Sequence, residues 1–178
     1  MTAKLNANRF QNRSVRRCKD DHFQNSEPEE KVAFLSRPLS YPHGPMAVEV
    51  KETHMSWVFL AGTLAYKLKM PVSDPFLDFT TLEARRVNFL EEVRLNSRLA
   101  AGVYLGTLPL CATAAGELFL QAAGETVDWL VCMNRLPADL MLDERIANGC
   151  LSRGEVEHAA ERLMQFYLKL PPLNVSAE

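Results

Sequence analysis

Apolar and polar positions first alternate cleanly in Ala47-Val48-Glu49-Val50-Lys51-Glu52, the period-two pattern of a half-buried strand. Glu52-Thr53-His54-Met55 links this run to Trp57-Val58-Phe59-Leu60, which is rich in strand formers. Ala61-Gly62-Thr63 then reads as a turn, and Leu64 to Met70 as the return strand of a β-hairpin that Pro71 ends. On the return strand Ala65, Lys67 and Lys69 share one face, and Leu64, Tyr66, Leu68 and Met70 share the other. Val72 to Phe79 reads as a loop. Thr80-Thr81-Leu82-Glu83 has the form of a capping box, with the Thr80 hydroxyl accepting from the Glu83 backbone N–H. The helix it opens is expected to run to about Ala101 and stop at Gly102, with Leu82, Phe89, Leu90, Val93 and Leu99 on its buried side.

Val103 to Thr113 reads as a strand broken by Gly106 and Pro109, hence bent or at a sheet edge. Leu118-Phe119-Leu120 is a short apolar run, and Val127 to Met133 is the last strand. The pattern predicts an α+β fold: about five strands, sequential and antiparallel, with one helix inserted after the third. Beyond Pro137 the character turns helical. Ala138 to Ala147 reads as one helix, ended by Asn148-Gly149. Ser152-Arg153-Gly154-Glu155 is a second capping box, and Val156, Ala160, Leu163, Tyr167 and Leu170 give the helix after it an apolar stripe. Upstream, Arg37 to Pro45 is a loop, and Ser26-Glu27-Pro28-Glu29-Glu30 starts a short helix into Lys31-Val32-Ala33-Phe34-Leu35.

Composition narrows the function classes. Hydrophobic residues are 47% of the 178-residue chain, enough for one packed core, and the formal net charge of −2 exerts no pull on nucleic acid or anionic membrane. Lys4, Arg9, Arg13, Arg16, Arg17 and Lys19 precede the first acid, Asp20, but this run has few apolar residues and reads as a solvated, disordered tail over residues 1–30. Cys18, Cys111, Cys132 and Cys150 form no metal-spaced cluster, which fits reduced thiols in a cytoplasmic protein. No stretch approaches a membrane span, and no apolar core marks a signal peptide.

The candidate chemistry is a lysine set in an apolar strand, followed by a helix that carries acids. A lysine ammonium is costly to bury without an anion. Lys67, beside Ala65, therefore points to a phosphate contact held in place by an ion pair, and Lys69 on the same face competes for that role. Glu92 lies on the helix face of Phe89 and Leu99, whereas Glu91 lies one turn from Arg94 in a surface ion-pair row, so Glu92 is the better inward partner. His54 and Ser56 sit at the connection that covers the phosphates in a nucleotide lobe. No G-x-G-x-x-G or P-loop motif is present. Met133-Asn134-Arg135-Leu136-Pro137 joins sheet to helices, where backbone groups are free to pair with an adenine edge. Each feature also has a bland counterpart: a solvated lysine, a solvated helix face, an ordinary connection, a simple linker.

Ala65-Tyr66-Lys67 resembles the Ala-x-Lys of the third strand in kinase-like folds, and Glu92-Val93-Arg94-Leu95 resembles their inward-Glu helix. Lys31 to Ser36, Glu52 to Leu60, Ala65 to Val72, Phe76-Leu77-Asp78-Phe79, Leu82 to Arg86, Tyr104-Leu105-Gly106, Arg135-Leu136-Pro137 and Met141-Leu142-Asp143 together resemble a bacterial family of aminoglycoside-phosphotransferase-like proteins, over about Lys31 to Leu170. The resemblance implies a protein-kinase-like N-lobe over 31–133, then a hinge and the first C-lobe helices over 134–172 and a tail over 173–178. It implies ATP, Mg²⁺ and phosphoryl transfer to a small molecule, in a family often fused to a C-terminal P-loop ATPase domain. Lys67 would match the phosphate-binding lysine, Glu92 its partner, and Val131 to Met133 the adenine-side hinge.

One departure qualifies this. None of the four histidines is followed two places on by Asp, so the His-Gly-Asp-type catalytic loop, its base and the metal ligands are expected to be missing. The expectation is a truncated, nucleotide-binding lobe with no catalytic residue of its own, which takes Mg²⁺ only if a C-lobe is supplied elsewhere. Such a C-lobe, or self-association through 153–170, is the expected partner. The alternative is a non-catalytic interaction module that uses the same lobe as a scaffold.

Overall fold

The computed structural model describes residues 27–120 and 124–171. The basic N-terminal run and the 173–178 tail lie outside the described residues. Gly62 sets the first register: at φ +64 it occupies the left-handed region, and with Thr63 it forms a two-residue loop between paired Ala61 and Leu64. The strands it joins are β2 (Ser56–Ala61) and β3 (Leu64–Lys69), and β1 (Val48–Glu52) pairs with β2. Helix α2 (Leu82–Asn96) follows β3, as expected of the inserted helix. Then come β4 (Tyr104–Ala112), β5 (Leu118–Leu120) and β6 (Glu125–Asn134).

Together they make one antiparallel sheet in the order β1-β2-β3-β6-β4-β5. The α+β class and antiparallel pairing agree with the sequence pattern, but the sheet has six strands and they are not sequential. The last strand, β6, inserts between β3 and β4. Its burial explains this: β6 carries Val127, Leu130 and Val131 in the interior and needs a neighbour on each side. β5 covers only Leu110 to Ala112, so Pro109, which has no N–H to offer, sits in the part of β4 with β6 alone as neighbour. Gly106, at φ +139, marks a register shift at the start of the strand.

Two layers of side chains cover the sheet. Paired residues share a face, so Phe59, Tyr66, Leu68, Leu108 and Leu130 form one buried surface, packed with Leu35 of α1 (Pro28–Leu35) and Tyr41 of the following loop. Tyr41 donates its hydroxyl to the Leu35 carbonyl at 2.5 Å. On the other face lies α2, whose Phe89 is fully buried, worth about 1.5–3 kcal/mol of burial.

α2 departs from its sequence expectation in three ways. Thr81, not Thr80, is the N-cap and accepts from Ala84 N–H at 3.1 Å, because Thr80 instead donates its hydroxyl to Asp78. The helix ends at Asn96 and tightens through Ser97 to Ala100 before Gly102. Its buried side holds Arg85 and Phe89, whereas Leu90 is exposed.

Arg85 is buried because it meets Asp128. Its Nε donates to Asp128 Oδ1 at 2.8 Å, and its Nη1 donates to the carbonyls of Phe79 at 2.9 Å and Thr80 at 3.1 Å. From α1, Lys31 Nζ donates to Asp128 Oδ2 at 2.7 Å and to the Val127 carbonyl at 3.0 Å. The acid sits at the register shift in which Leu110 pairs with Asp128 and Cys111 with Thr126. One carboxylate therefore fastens both helices to β6.

Ala138 to Ala147 is not one helix. A 3-10 turn at Ala138–Leu140 is separated from α3 (Leu142–Ala147) by Met141, whose extended backbone (ψ 141) breaks the run. The second capping box forms as expected and opens α4 (Arg153–Leu168): Ser152 N–H donates to Glu155 at 2.8 Å and Glu155 N–H to Ser152 Oγ at 3.3 Å. α4 is almost wholly exposed. Its contacts with the rest of the fold include Arg162 on the Leu99 carbonyl at 3.3 Å and Arg98 over the Phe166 ring at 5.2 Å.

Replacing Asp128 by Ala strands two buried cations and is expected to cost about 3–5 kcal/mol in urea unfolding. Hydrogen bonds from the Ser152 backbone and hydroxyl and from Arg145 hold the Glu155 carboxyl down to about 2. Because that value lies below the ordinary Glu range, the cap's contribution is complete above about pH 4.5 and is lost as pH falls toward 2. NMR helical shifts of residues 153–156 should show this loss in the wild type, and Glu155→Gln should lack the pH response.

Candidate functional site

Strand period and pairing bring most of the sequence-derived candidates onto the α2 side of the sheet. Ser56 pairs with Lys69, Lys67 with Val131, and Ala65 with Met133, so all six share one face. Ser56, Ala65 and Val131 are buried there, and Met133 is half-buried. His54 is the exception: it is exposed on the connection before β2. The Ser56 backbone is engaged by Thr53, whose Oγ1 accepts from Ser56 N–H at 3.1 Å and donates to Ser56 O at 2.8 Å.

Lys67 meets Glu92. Its Nζ donates to Glu92 Oε1 at 2.9 Å, across the gap between β3 and α2. Glu91 points elsewhere and forms a surface pair with Arg94 at 2.7 Å, as the helix-face argument expects. Lys69 resolves differently from either alternative. It does not replace Lys67 but joins it, with Nζ 3.6 Å from Glu92 Oε2. One carboxylate thus serves two lysines.

The three side chains are graded in depth. Lys67 is 26% exposed, Glu92 14% and Lys69 7%. The Lys69 amine lies 4.5 Å from the Phe79 ring centroid and 4.9 Å from that of Phe89, between two aromatic rings that favour a cation. Burial pulls its affinity for a proton below the ordinary lysine range, and the Glu92 carboxylate pulls the other way. Lys67 is therefore the member that faces solvent, and Lys69 is the member locked inside.

The sequence pattern missed Lys31, Arg85 and Asp128. The signal was present: Asp128 interrupts an apolar strand, and Arg85 precedes Phe89 by one helical turn. A shallow concavity lined by Phe76, Leu77, Phe79, Val87 and Glu91 runs along α2, but none of Lys67, Lys69 and Glu92 lines it. Among the described residues, no group of three or more His, Cys, Asp or Glu side chains is placed to hold a metal ion, and no helix is long and apolar enough to cross a membrane.

The chain is similar to uncharacterized proteins of Mycobacterium bovis and of two strains of Mycobacterium tuberculosis. Each is 35% identical over 120 residues, which is 67% of this chain and 22% of the relative. The match thus spans about a fifth of the length of those mycobacterial proteins. No family model matches the chain, and no solved structure matches it.

The two acids make a direct comparison. Glu92→Ala leaves the buried Lys69 amine without its carboxylate and is expected to cost about 1–3 kcal/mol. Glu91→Ala removes only an exposed pair and should leave the unfolding midpoint close to that of the wild type. Equilibrium unfolding of the two variants side by side checks this.

Proposed function

We propose that this chain is the nucleotide-binding lobe of a phosphotransferase-like protein with a protein-kinase-like fold. In this reading residues 31–133 form the lobe, and 134–172 form a hinge and the first helices of a second lobe. The observation that carries it is the Lys67–Glu92 ion pair, 2.9 Å long, between the third strand and the helix inserted after it. An ammonium held by a carboxylate on a strand is aimed and partly desolvated, which is what a phosphate contact needs. Ala65, Val131 and Met133 lie on the same face, and the half-buried Met133 is the apolar side chain it leaves for a purine. Beyond Val131 the Asn134 and Arg135 N–H groups are held by the Val103 and Thr63 carbonyls, so pairing with the purine's edge falls to the connector after Arg135.

The ligand is ATP in this reading. Binding and orientation fall to Lys67 and to the apolar strand face. Mg²⁺ would neutralise the phosphates when bound, with its ligands and the catalytic base supplied from outside this sequence, where no histidine is followed two places on by Asp. This chain holds the nucleotide and does not itself transfer phosphate. His54, exposed beside the start of β2, is free to reach a phosphate only from the loop.

A second reading, a scaffold that binds another protein, draws on α3, α4 and the 3-10 turn before α3. Leu140, Leu142, Ile146, Leu163, Tyr167 and Leu168 are all exposed there, a large apolar surface for so small a chain.

Thermal unfolding separates the two. At ATP concentrations several times a millimolar-range Kd, the wild type should gain about 2–4 °C and Lys67→Ala should gain nothing. Runs with and without Mg²⁺ isolate the metal's part. An unshifted wild type at millimolar ATP would remove the nucleotide reading and leave the scaffold.

A further inference from the structure

We infer that Lys69 is a positioning residue that balances the charge of Glu92, leaving Lys67 with a positive charge to offer an incoming phosphate. This rests on the nucleotide reading above and deepens it.

The argument begins with charge. A single lysine–glutamate pair is neutral, so an anion approaching it gains little unless the pair opens. Here two ammoniums meet one carboxylate, and each carboxylate oxygen has its own lysine: Oε1 takes Lys67 at 2.9 Å and Oε2 takes Lys69 at 3.6 Å. The cluster carries one net positive charge. The neighbouring acid does not cancel it, because Glu91 is occupied by Arg94.

Depth decides which lysine carries that surplus outward. Lys69 is 7% exposed and walled by Phe79 and Phe89, so no solvent anion can reach it without displacing the rings. Lys67 is on the same strand face, two residues toward the hairpin turn and about four times as exposed. When a phosphate oxygen takes a share of Lys67, Glu92 remains satisfied by Lys69 and stays in place. The geometry lets the phosphate join the cluster rather than compete for it. Burying Lys69 is otherwise hard to account for, since a methionine would fill the aromatic slot with no desolvation cost.

The test titrates ATP into the full chain by NMR, for the wild type, Lys67→Met, Lys69→Met and the double variant Lys69→Met/Glu92→Gln, with circular dichroism confirming that each is folded. Lys67→Met should weaken ATP binding by well over tenfold. Lys69→Met should weaken it about tenfold, because Glu92 then neutralises Lys67. The double variant restores the surplus charge and should return to within about threefold of the wild type. A merely structural Lys69 gives no such rescue, and a double variant as weak as the single one overturns the inference. Should Lys69→Met fail to fold, Lys69→Gln carries the same comparison. If Lys67→Met weakens binding but Lys69→Met matches the wild type, the inference fails and the nucleotide reading stands. If the wild type does not bind, or Lys67→Met binds as well as it does, both fall.

Discussion

Asp128 is the point on which the architecture hangs. Two helices from distant parts of the chain reach one carboxylate, Lys31 from α1 and Arg85 from α2, and both do so in the interior. Neither cation has bulk water to fall back on, so each is held in place by the cost of leaving. The bond network fixes where α2 starts: Arg85 also ties down the carbonyls of Phe79 and Thr80, the two residues before the N-cap Thr81. With that end pinned, the next turn places Phe89 under the sheet, and the turn after that brings Glu92 to the strand lysines. The placement of the site is thus set two helical turns away from it.

The site itself follows from period arithmetic. Strand alternation puts Lys67 and Lys69 on one face, and the helical repeat puts Phe89 and Glu92 on one side of α2. Bringing those two faces together gives an apolar floor, two aromatic walls and one shared carboxylate. The exposed end of this arrangement is an ammonium, and its closed end is another. That asymmetry distinguishes the cluster from a simple surface salt bridge, which solvent and salt would make nearly worthless.

What was legible in the sequence was local. The hairpin, the second capping box, and the preference for Glu92 over Glu91 each rest on residues a few positions apart, where spacing fixes geometry. The strand order was not legible, since the placement of β6 between β3 and β4 depends on contacts far apart along the chain. Leu90 was misplaced and Arg85 missed for one shared reason. A binary pattern counts every leucine as inside and every arginine as outside, and it has no way to register that a charged side chain has a buried partner on another element. Lys69 was visible as a rival to Lys67 on the same face. That the two act together required knowing that Glu92 offers each a separate oxygen.

α4 stands apart from this network. It is closed at its start by its own capping box and touches the rest of the fold through few contacts, such as those of Arg162 and Phe166. A helix of its length has little stability alone, so its hold on the rest of the fold rests on those contacts. Its amides would exchange with solvent through local fraying, and those of β3 and β6 only through global unfolding. A substitution on its exposed side would therefore be expected to weigh little in a measurement of overall stability while changing what that helix presents to its surroundings.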